Sequence, residues 1–332
     1  MARNSMASRL VVLGKLAVCG ATIAAIGLAV VTLSEDGDVA QTSADIADFT
    51  LGPKNRSEIF VDTLDRLGHS EPETFDLNGN VVYFSSAYAK GSPRALLDEY
   101  QRTFADQGFN RRTYPVPTPD VENQMELAQG LLTGDMIPVL VHDDHVVMAG
   151  ATIENEARTV ADLEKLRGGK MPANADEWAS LFKGHRWVEI TRDDEFRDRS
   201  LVVSTWADDF NIRKMAPGNT EEDVNTDPDV PACPGCTRVL SFDRLGGGKP
   251  YRHTGYVDAA GKDAAARYYL DAMTRRGWEI TETSRMYMKL KANMEFEGND
   301  AHVLQFTKKD EFLTILSYPD ENGAAVQIVR SD

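Results

Sequence analysis

The chain has 332 residues, of which 42% are hydrophobic and 27% are charged, and its net charge at pH 7 is −16. This length allows two ordinary globular domains with sizeable cores, and this composition excludes a largely disordered protein. The acidic excess argues against nucleic-acid binding, which needs a basic surface, and against lying flat on an anionic membrane.

The first 33 residues carry the clearest localisation signal. Residues 10–33 are almost entirely apolar, and the 18 residues from Leu16 to Leu33 carry no charge, which meets the lower limit of about 17 residues for a spanning helix. Basic residues precede this run and acidic residues follow it: Arg3, Arg9 and Lys15, then Glu35, Asp36 and Asp38. Because basic flanks stay on the cytoplasmic side, we predict a cytoplasmic N-terminus at 1–9, a transmembrane signal anchor at 10–33 and an extracytoplasmic remainder.

Two other fates of this leader stay open. Small residues at 42–44 would permit cleavage, although they lie well past the apolar run. Lipidation at Cys19 is the third outcome, because residues 16–19 (LAVC) resemble a bacterial lipobox. The retained anchor is favoured, since the apolar run exceeds the about 7–15 residues of a signal-peptide core.

A tether at 34–56, rich in small and polar residues, is predicted to lead into a first domain at 57–216. That domain should open with a helix at 57–67 and a strand at 81–84, from the spacing of their apolar residues and the β-branched content of the strand.

A second helix is predicted to begin at Ser92 and Pro93, which favour the N-cap and first helical positions. It should end at Gly108, whose lack of a Cβ suits the left-handed conformation after a helix, with Phe109 folding back on the last turn. The predicted inward stripe is Leu96, Leu97, Tyr100 and Phe104.

Two sequence matches indicate that the fold occurs twice. Residues 100–109 read Y-x3-F-x3-G-F and residues 269–278 read Y-x3-M-x3-G-W, at an offset of 169; residues 191–196 match residues 307–312 at an offset of 116. The offsets differ by 53 (169 − 116), so the first copy should hold about fifty extra residues. We predict an α+β protein of two related two-layer units, each with one helix packed on a small antiparallel sheet.

The second domain is predicted at 237–332, with a helix that follows 261–263 and ends at Gly277 and Trp278. Strands are predicted in the first domain at 187–191, 201–206 and 210–214, and in the second at 239–242, 256–257, 303–307, 312–318 and 324–330.

The extra residues, at 113–178, are predicted to contain a helix capped by Asp120, a hairpin at 136–153 and a second helix at 159–166. An insertion in one copy of a fold is a natural place for specialised contacts, so the segment from Pro115 to Trp178 is favoured for partner binding. The alternative is that it only covers a sheet face.

The tip of the predicted hairpin reads His142-Asp143-Asp144-His145. Two imidazoles and a carboxylate would suit a zinc ion or another transition metal, so these four residues are a candidate metal site. A solvated turn is the more common role of such acidic pairs.

Residues 217–236 combine Pro, Gly and acids and are predicted to be a linker that contains Cys233 and Cys236. Outside the cytosol a local disulfide is favoured for this pair. A redox-active dithiol or half of a zinc site are the alternatives, but the motif follows no strand and a second cysteine pair is missing.

The sequence contains none of the G-x-S-x-G, H-E-x-x-H or phosphate-loop motifs, and we expect no catalytic residues and no cofactor. We therefore predict a single-pass, membrane-anchored extracytoplasmic binding or scaffold protein, periplasmic if bacterial, that contacts a protein or envelope polymer in an envelope complex. The alternative is an extracytoplasmic hydrolase with a site in the insertion or between the domains.

Overall fold

The structure, a computed structural model, describes residues 56–153, 182–193, 198–215, 227, 229–246, 250–258, 261–293, 301–320 and 323–331. These residues form a mixed α/β structure in which helices accompany twelve antiparallel strands. The described chain divides into two compact units. Unit 1 holds 56–72 and 83–212, and unit 2 holds 73–82 and the residues from 213 onward.

The described helices of unit 1 are α1 (Arg56–Arg66), α2 (Pro93–Asp106) and α3 (Val121–Leu132). Its strands are β2 (Asn80–Lys90, which begins in unit 2), β3 (Ile137–Val141), β4 (His145–Ile153), β5 (Phe182–Arg192) and β6 (Arg199–Ala207). They are ordered β3-β4-β5-β6-β2.

Unit 2 contains β1 (Glu73–Leu77), β7 (Thr237–Leu245), β8 (Tyr251–Asp258), β9 (Glu279–Ile280), β10 (His302–Lys308), β11 (Glu311–Asp320) and β12 (Gly323–Ser331). Its described helices are α4 (Lys262–Arg275) and α5 (Glu282–Asn293). The strand order is β1-β7-β8-β12-β11-β10-β9.

The central helices α2 and α4 end as the sequence predicts. In α2, Gly108 has φ +72°, its N–H donates to the Ala105 carbonyl and the Phe109 N–H donates to the Phe104 carbonyl. In α4, Gly277 has φ +80° and the same two bonds run from Gly277 and Trp278 to Thr274 and Met273. This pair of bonds is the Schellman motif, which satisfies carbonyls that the helix leaves unpaired.

The two units share an order of elements. In each, the strand before the central helix pairs with the last strand: β2 with β6, and β8 with β12. The following neighbours are β5 and β4 in unit 1, and β11 and β10 in unit 2. Strand β4, which lies inside the segment predicted to be an insertion, therefore takes the place that β10 takes in unit 2.

This strand order contradicts one of the two sequence matches on which the predicted duplication was based. Thr191 lies in β5, whereas Thr307 lies in β10, so the match between 191–196 and 307–312 joins strands with different places in the two sheets. The strand predicted at 210–214 is also wrong, because β6 already has β5 and β2 as neighbours. The chain instead leaves the sheet after Ala207 and forms a 3-10 helix at Ile212–Met215.

One helix per unit is too few. In unit 1, α1 and α2 pack on one side of the sheet, around Phe60, Phe104 and Ile190. Helix α3 packs on the opposite side, where Leu131 contacts the cluster of Val147, Ala149 and Trp187. Unit 1 therefore carries helices on both faces of its sheet.

Part of the predicted linker belongs to a core. Val230 and Cys233 are 5% and 4% exposed and pack in the cluster of unit 2 that contains Tyr269 and Trp278. The backbone carbonyl of Ala232 accepts a hydrogen bond from the Tyr268 hydroxyl. Residues 229–236 are thus packed against unit 2, with apolar anchors that a linker would lack.

The predicted anchor at 10–33 and the predicted helix at 159–166 lie outside the described residues. Among the helices that the structure describes, none has the length and apolar content needed to cross a membrane.

Candidate functional site: the outer face of unit 2

Helix α4 packs against one side of the unit 2 sheet. Its buried residues Tyr269 and Met273 contact a cluster that includes Leu304, Leu313 and Ile315. Because side chains alternate along a strand, the intervening residues of β8, β10, β11 and β12 project to the other side. We call this set the outer face: Tyr251, His253, Gly255, Val257, Val303, Gln305, Thr307, Phe312, Thr314, Leu316, Tyr318, Ala325, Gln327, Val329 and Ser331.

None of these residues is Asp, Glu, Lys or Arg, although 27% of the chain is charged. The same alternation reaches a charged residue only at Asp320, the exposed last residue of β11. The charged residues of the same four strands include Arg252 and Arg330, which pair across the sheet at the alternate positions. Over these four strands the two sides of the sheet therefore differ sharply in charge. On the adjoining β7, Phe242 pairs with His253, so Arg244 lies on the same side as the outer face, where it is paired with Glu73.

Three polar side chains of the outer face bond to one another. The His253 Nε2 lies 2.6 Å from the Gln327 Oε1, and the Gln327 Nε2 donates to the Tyr318 hydroxyl at 3.3 Å. Burial lowers the pKa of His253, so its imidazole is neutral at pH 7. A Cβ on Gly255 would lie 3.1 Å from the Gln327 Oε1, so the absence of a side chain leaves room for this chain of bonds.

The outer face also exposes large apolar side chains. Phe312 is 54% exposed and Tyr318 is 36% exposed, and both lie on β11 with Leu316 between them. Depletion of charge together with exposed aromatic residues is the composition of the buried centre of a protein interface. This face is therefore suited to binding a partner.

The charged groups of unit 2 have a structural role on the opposite side. Arg330 Nη1 lies 2.7 Å from the Asp227 Oδ2, and Arg330 Nη2 lies 2.7 Å from the Glu311 Oε2. Burial alone would lower the pKa of Arg330, but its bonds and charge interactions with Asp227 and Glu311 outweigh that effect and raise it. The adjoining Arg252 bonds the Asp243 Oδ1 at 2.9 Å, so the cluster fixes Asp227 and Asp229 to the sheet.

The predicted metal ligands lie at the turn between β3 and β4. The backbone N–H of His142 donates to the His145 carbonyl at 2.8 Å, and the His145 Nε2 lies 3.1 Å from the Glu189 Oε1. Arg192 donates to the backbone carbonyls of Asp143 and Asp144. Within the residues that the structure describes, no three His, Cys, Asp or Glu side chains are grouped to hold a metal, and metal binding stays a prediction.

The other sequence-predicted sites are placed as follows. Cys233 and Cys236 are joined as a disulfide with their Cα atoms 5.3 Å apart. Of the segment from Pro115 to Trp178, the described part supplies α3, β3 and β4 to unit 1, and residues 154–178 lie outside the described residues.

The sequence carries a signal for the outer face, although none of the predictions above includes this face. In β10, β11 and β12 both alternating sets of residues are uncharged over most of each strand, whereas a strand with one solvated face carries polar or charged residues at every second position.

Compared with models of known families, with curated proteins and with solved structures, the chain has no match. The outer face itself is therefore the basis for a functional assignment.

Proposed function

We propose that the protein is a membrane-anchored, extracytoplasmic binding protein whose outer face in unit 2 holds a partner protein. The observation that carries this proposal is the uncharged composition of that face, together with the exposure of Phe312 and Tyr318. The anchor is the apolar leader at 10–33, which keeps the acidic body on the far side of the membrane from its basic flank.

For three polar side chains of this face, burial by a partner adds little polar cost. The His253, Gln327 and Tyr318 side chains already bond to one another, and a buried polar group is costly only when it lacks a hydrogen-bond partner. Apolar burial contributes about 25 cal/mol per Å², so covering the exposed rings and aliphatic side chains is the driving force for binding.

We also propose that the two units derive from one duplicated unit. The offset of 169 between the central helices extends to the preceding strands: Ala87 in β2 and Tyr256 in β8 (256 − 87 = 169) pair with Val202 and Val326 of the last strands. A chance resemblance between two helix ends has no reason to extend to this register.

The test is a charge placed on the outer face of the full-length membrane protein. Thr314→Glu adds a carboxylate among uncharged neighbours while leaving the core residues Leu313 and Ile315 in place. We expect loss of the proteins that copurify from gently solubilised membranes by at least tenfold, measured by quantitative mass spectrometry.

The matched control is Thr283→Glu, the same change at an exposed position in the first turn of α5. It should retain the copurifying proteins. Equal retention by both variants, with both folded by circular dichroism, would remove the outer face from the proposal.

A further inference from the structure

Unit 1 shows what can cover the face that corresponds to the outer face of unit 2. Helix α3 packs there, with Leu131 against Val147, Ala149 and Trp187, on the side of the sheet opposite α2. The helix also buries Leu127 against Tyr114 and Ile137. A helix of 12 residues therefore fills this side of the unit 1 sheet near β3 and β4.

The pairing registers give the equivalent positions in unit 2. Val202 and Val326 occupy the same place in the last strands, and their partners are Ile190 in β5 and Ser317 in β11. Those residues pair in turn with Val146 and His302. Counting one residue along each strand places Val303 where unit 1 has Val147.

Three residues after Val146 and His302 come Ala149 and Gln305, which therefore occupy equivalent positions. Three residues before Ile190 and Ser317 come Trp187 and Thr314, which are likewise equivalent. The unit 2 helices do not cover these residues as α3 covers theirs. The apolar stripe of α4 lies on the other side of the sheet, and Met288 of α5 packs against the same cluster as α4. Among the described residues, unit 2 thus has no helix in the place of α3.

We propose that the outer face of unit 2 receives an amphipathic α-helix of the partner protein, in the position that α3 takes in unit 1. This inference rests on the proposed binding function. From Phe312 to Tyr318, β11 runs about 20 Å at roughly 3.4 Å per residue, which a helix of about 13 residues matches at 1.5 Å per residue. The face of that helix towards β11 is apolar and uncharged, since a charge buried there would have no counter-ion.

The experiment uses a photo-crosslinking amino acid, p-benzoylphenylalanine, placed at position 303, 314 or 316 of the full-length protein in its native membrane. Position 283 on α5 is the control site. Crosslinked peptides are mapped by mass spectrometry. The crosslinking at positions 303 and 316 is then repeated in the Thr314→Glu variant.

The expected result is crosslinks from the three outer-face sites to one partner segment, at residues three or four apart, which is the spacing of one helix face. Thr314→Glu should reduce the crosslink from position 303 at least tenfold, and position 283 should give none to that segment. Crosslinks at alternate residues of the partner would indicate a bound strand and overturn the proposed helix. Crosslinks to a second copy of this chain would also overturn it. Either result would leave a binding function in place. Crosslinks only to lipid or glycan, or none above the control site, would overturn both this inference and the proposed protein partner.

Discussion

Single residues in this protein hold distant segments together through buried charge. Asp227 has only 7% of its side chain exposed and is paired with Arg330, which is 23% exposed. In the described part of the chain, removing Arg330 leaves Asp227 with only Arg252 as a counter-charge, 3.5 Å away. A buried carboxylate that loses its nearest partner costs more than the pair itself contributes.

Arg330→Leu should therefore lower the free energy of unfolding by about 2–4 kcal/mol, measured by urea denaturation. Arg275→Leu is the control, because Arg275 and Asp271 are 67% and 65% exposed and such pairs contribute about 0.5 kcal/mol or less. Similar losses of unfolding free energy in the two variants would contradict the role assigned to Arg330 in fixing Asp227 to the sheet.

A buried histidine gives unit 1 a pH-dependent stability. His69 is 7% exposed, its Nε2 lies 2.8 Å from the Tyr100 hydroxyl, and burial lowers its pKa from 6.5 to about 4. The unfolded chain therefore binds a proton at this histidine near pH 6.5, whereas the folded chain binds it only near pH 4. Stability from this group is intact above pH 6.5 and is lost progressively as the pH falls towards 4.

His69→Gln keeps a polar group beside Tyr100 but does not titrate. Between pH 7 and pH 4.5 it should lose about 2 kcal/mol less stability than the wild type, at 1.36 kcal/mol per unit of pKa difference. Urea denaturation at each pH measures this, and parallel pH profiles for the two proteins would refute the role of His69.

At the scale of elements, the two central helices depend on left-handed residues at their C-terminal ends. Neither Gly108 nor Gly277 has an atom within 4 Å of where a Cβ would lie, so a substitution there meets no steric clash with neighbours. Only the backbone conformation opposes it, at about 1–2 kcal/mol for an L-residue.

Gly108→Ala and Gly277→Ala should each reduce the free energy of unfolding by about 1 kcal/mol. Gly277→Asn should cost less than Gly277→Ala, because asparagine tolerates the left-handed region better. Denaturant titrations of the three variants provide the comparison, and an alanine variant as stable as wild type would mean that the helix ends differently in solution.

The helix ends were predictable because every group in a Schellman motif lies within a few residues along the chain. Five strands of unit 2, β7, β8, β10, β11 and β12, were predictable from β-branched and aromatic runs for the same reason, whereas the two-residue β9 was not predicted. Strand β1 and helix α5 were missed: β1 (ETFDL) is short, and residues 282–293 lack a regular apolar stripe. Neither segment carries a strong local signal.

At the scale of the whole molecule, charge separates the leader from the rest. The first 33 residues carry three basic groups and no acid, so residues 34–332 carry −19 (−16 − 3). The proposed anchor predicts that the full-length chain remains with membranes in carbonate at high pH, is released by detergent, and is digested by protease added from the extracytoplasmic side.

Replacing Gly20, Ala24 and Gly27 by Asp should move the chain to the soluble or aggregated fraction, because charges in a spanning segment oppose insertion. Recovery of an unaltered wild-type chain, with its N-terminus intact by mass spectrometry, in the soluble fraction would exclude the anchor.

The sequence alone determined the local features of this protein: an acidic body, the start of α2, the ends of both central helices, and the repetition of that helix end at an offset of 169. These depend on contacts within a few residues. The order of strands, the place of β4 beside β5 and the cover that α3 gives to unit 1 were decided only by tertiary structure. Strand pairing joins residues far apart in the chain, and the side of a sheet on which a residue lies follows from its register, so the uncharged outer face became visible only when all four strands were placed.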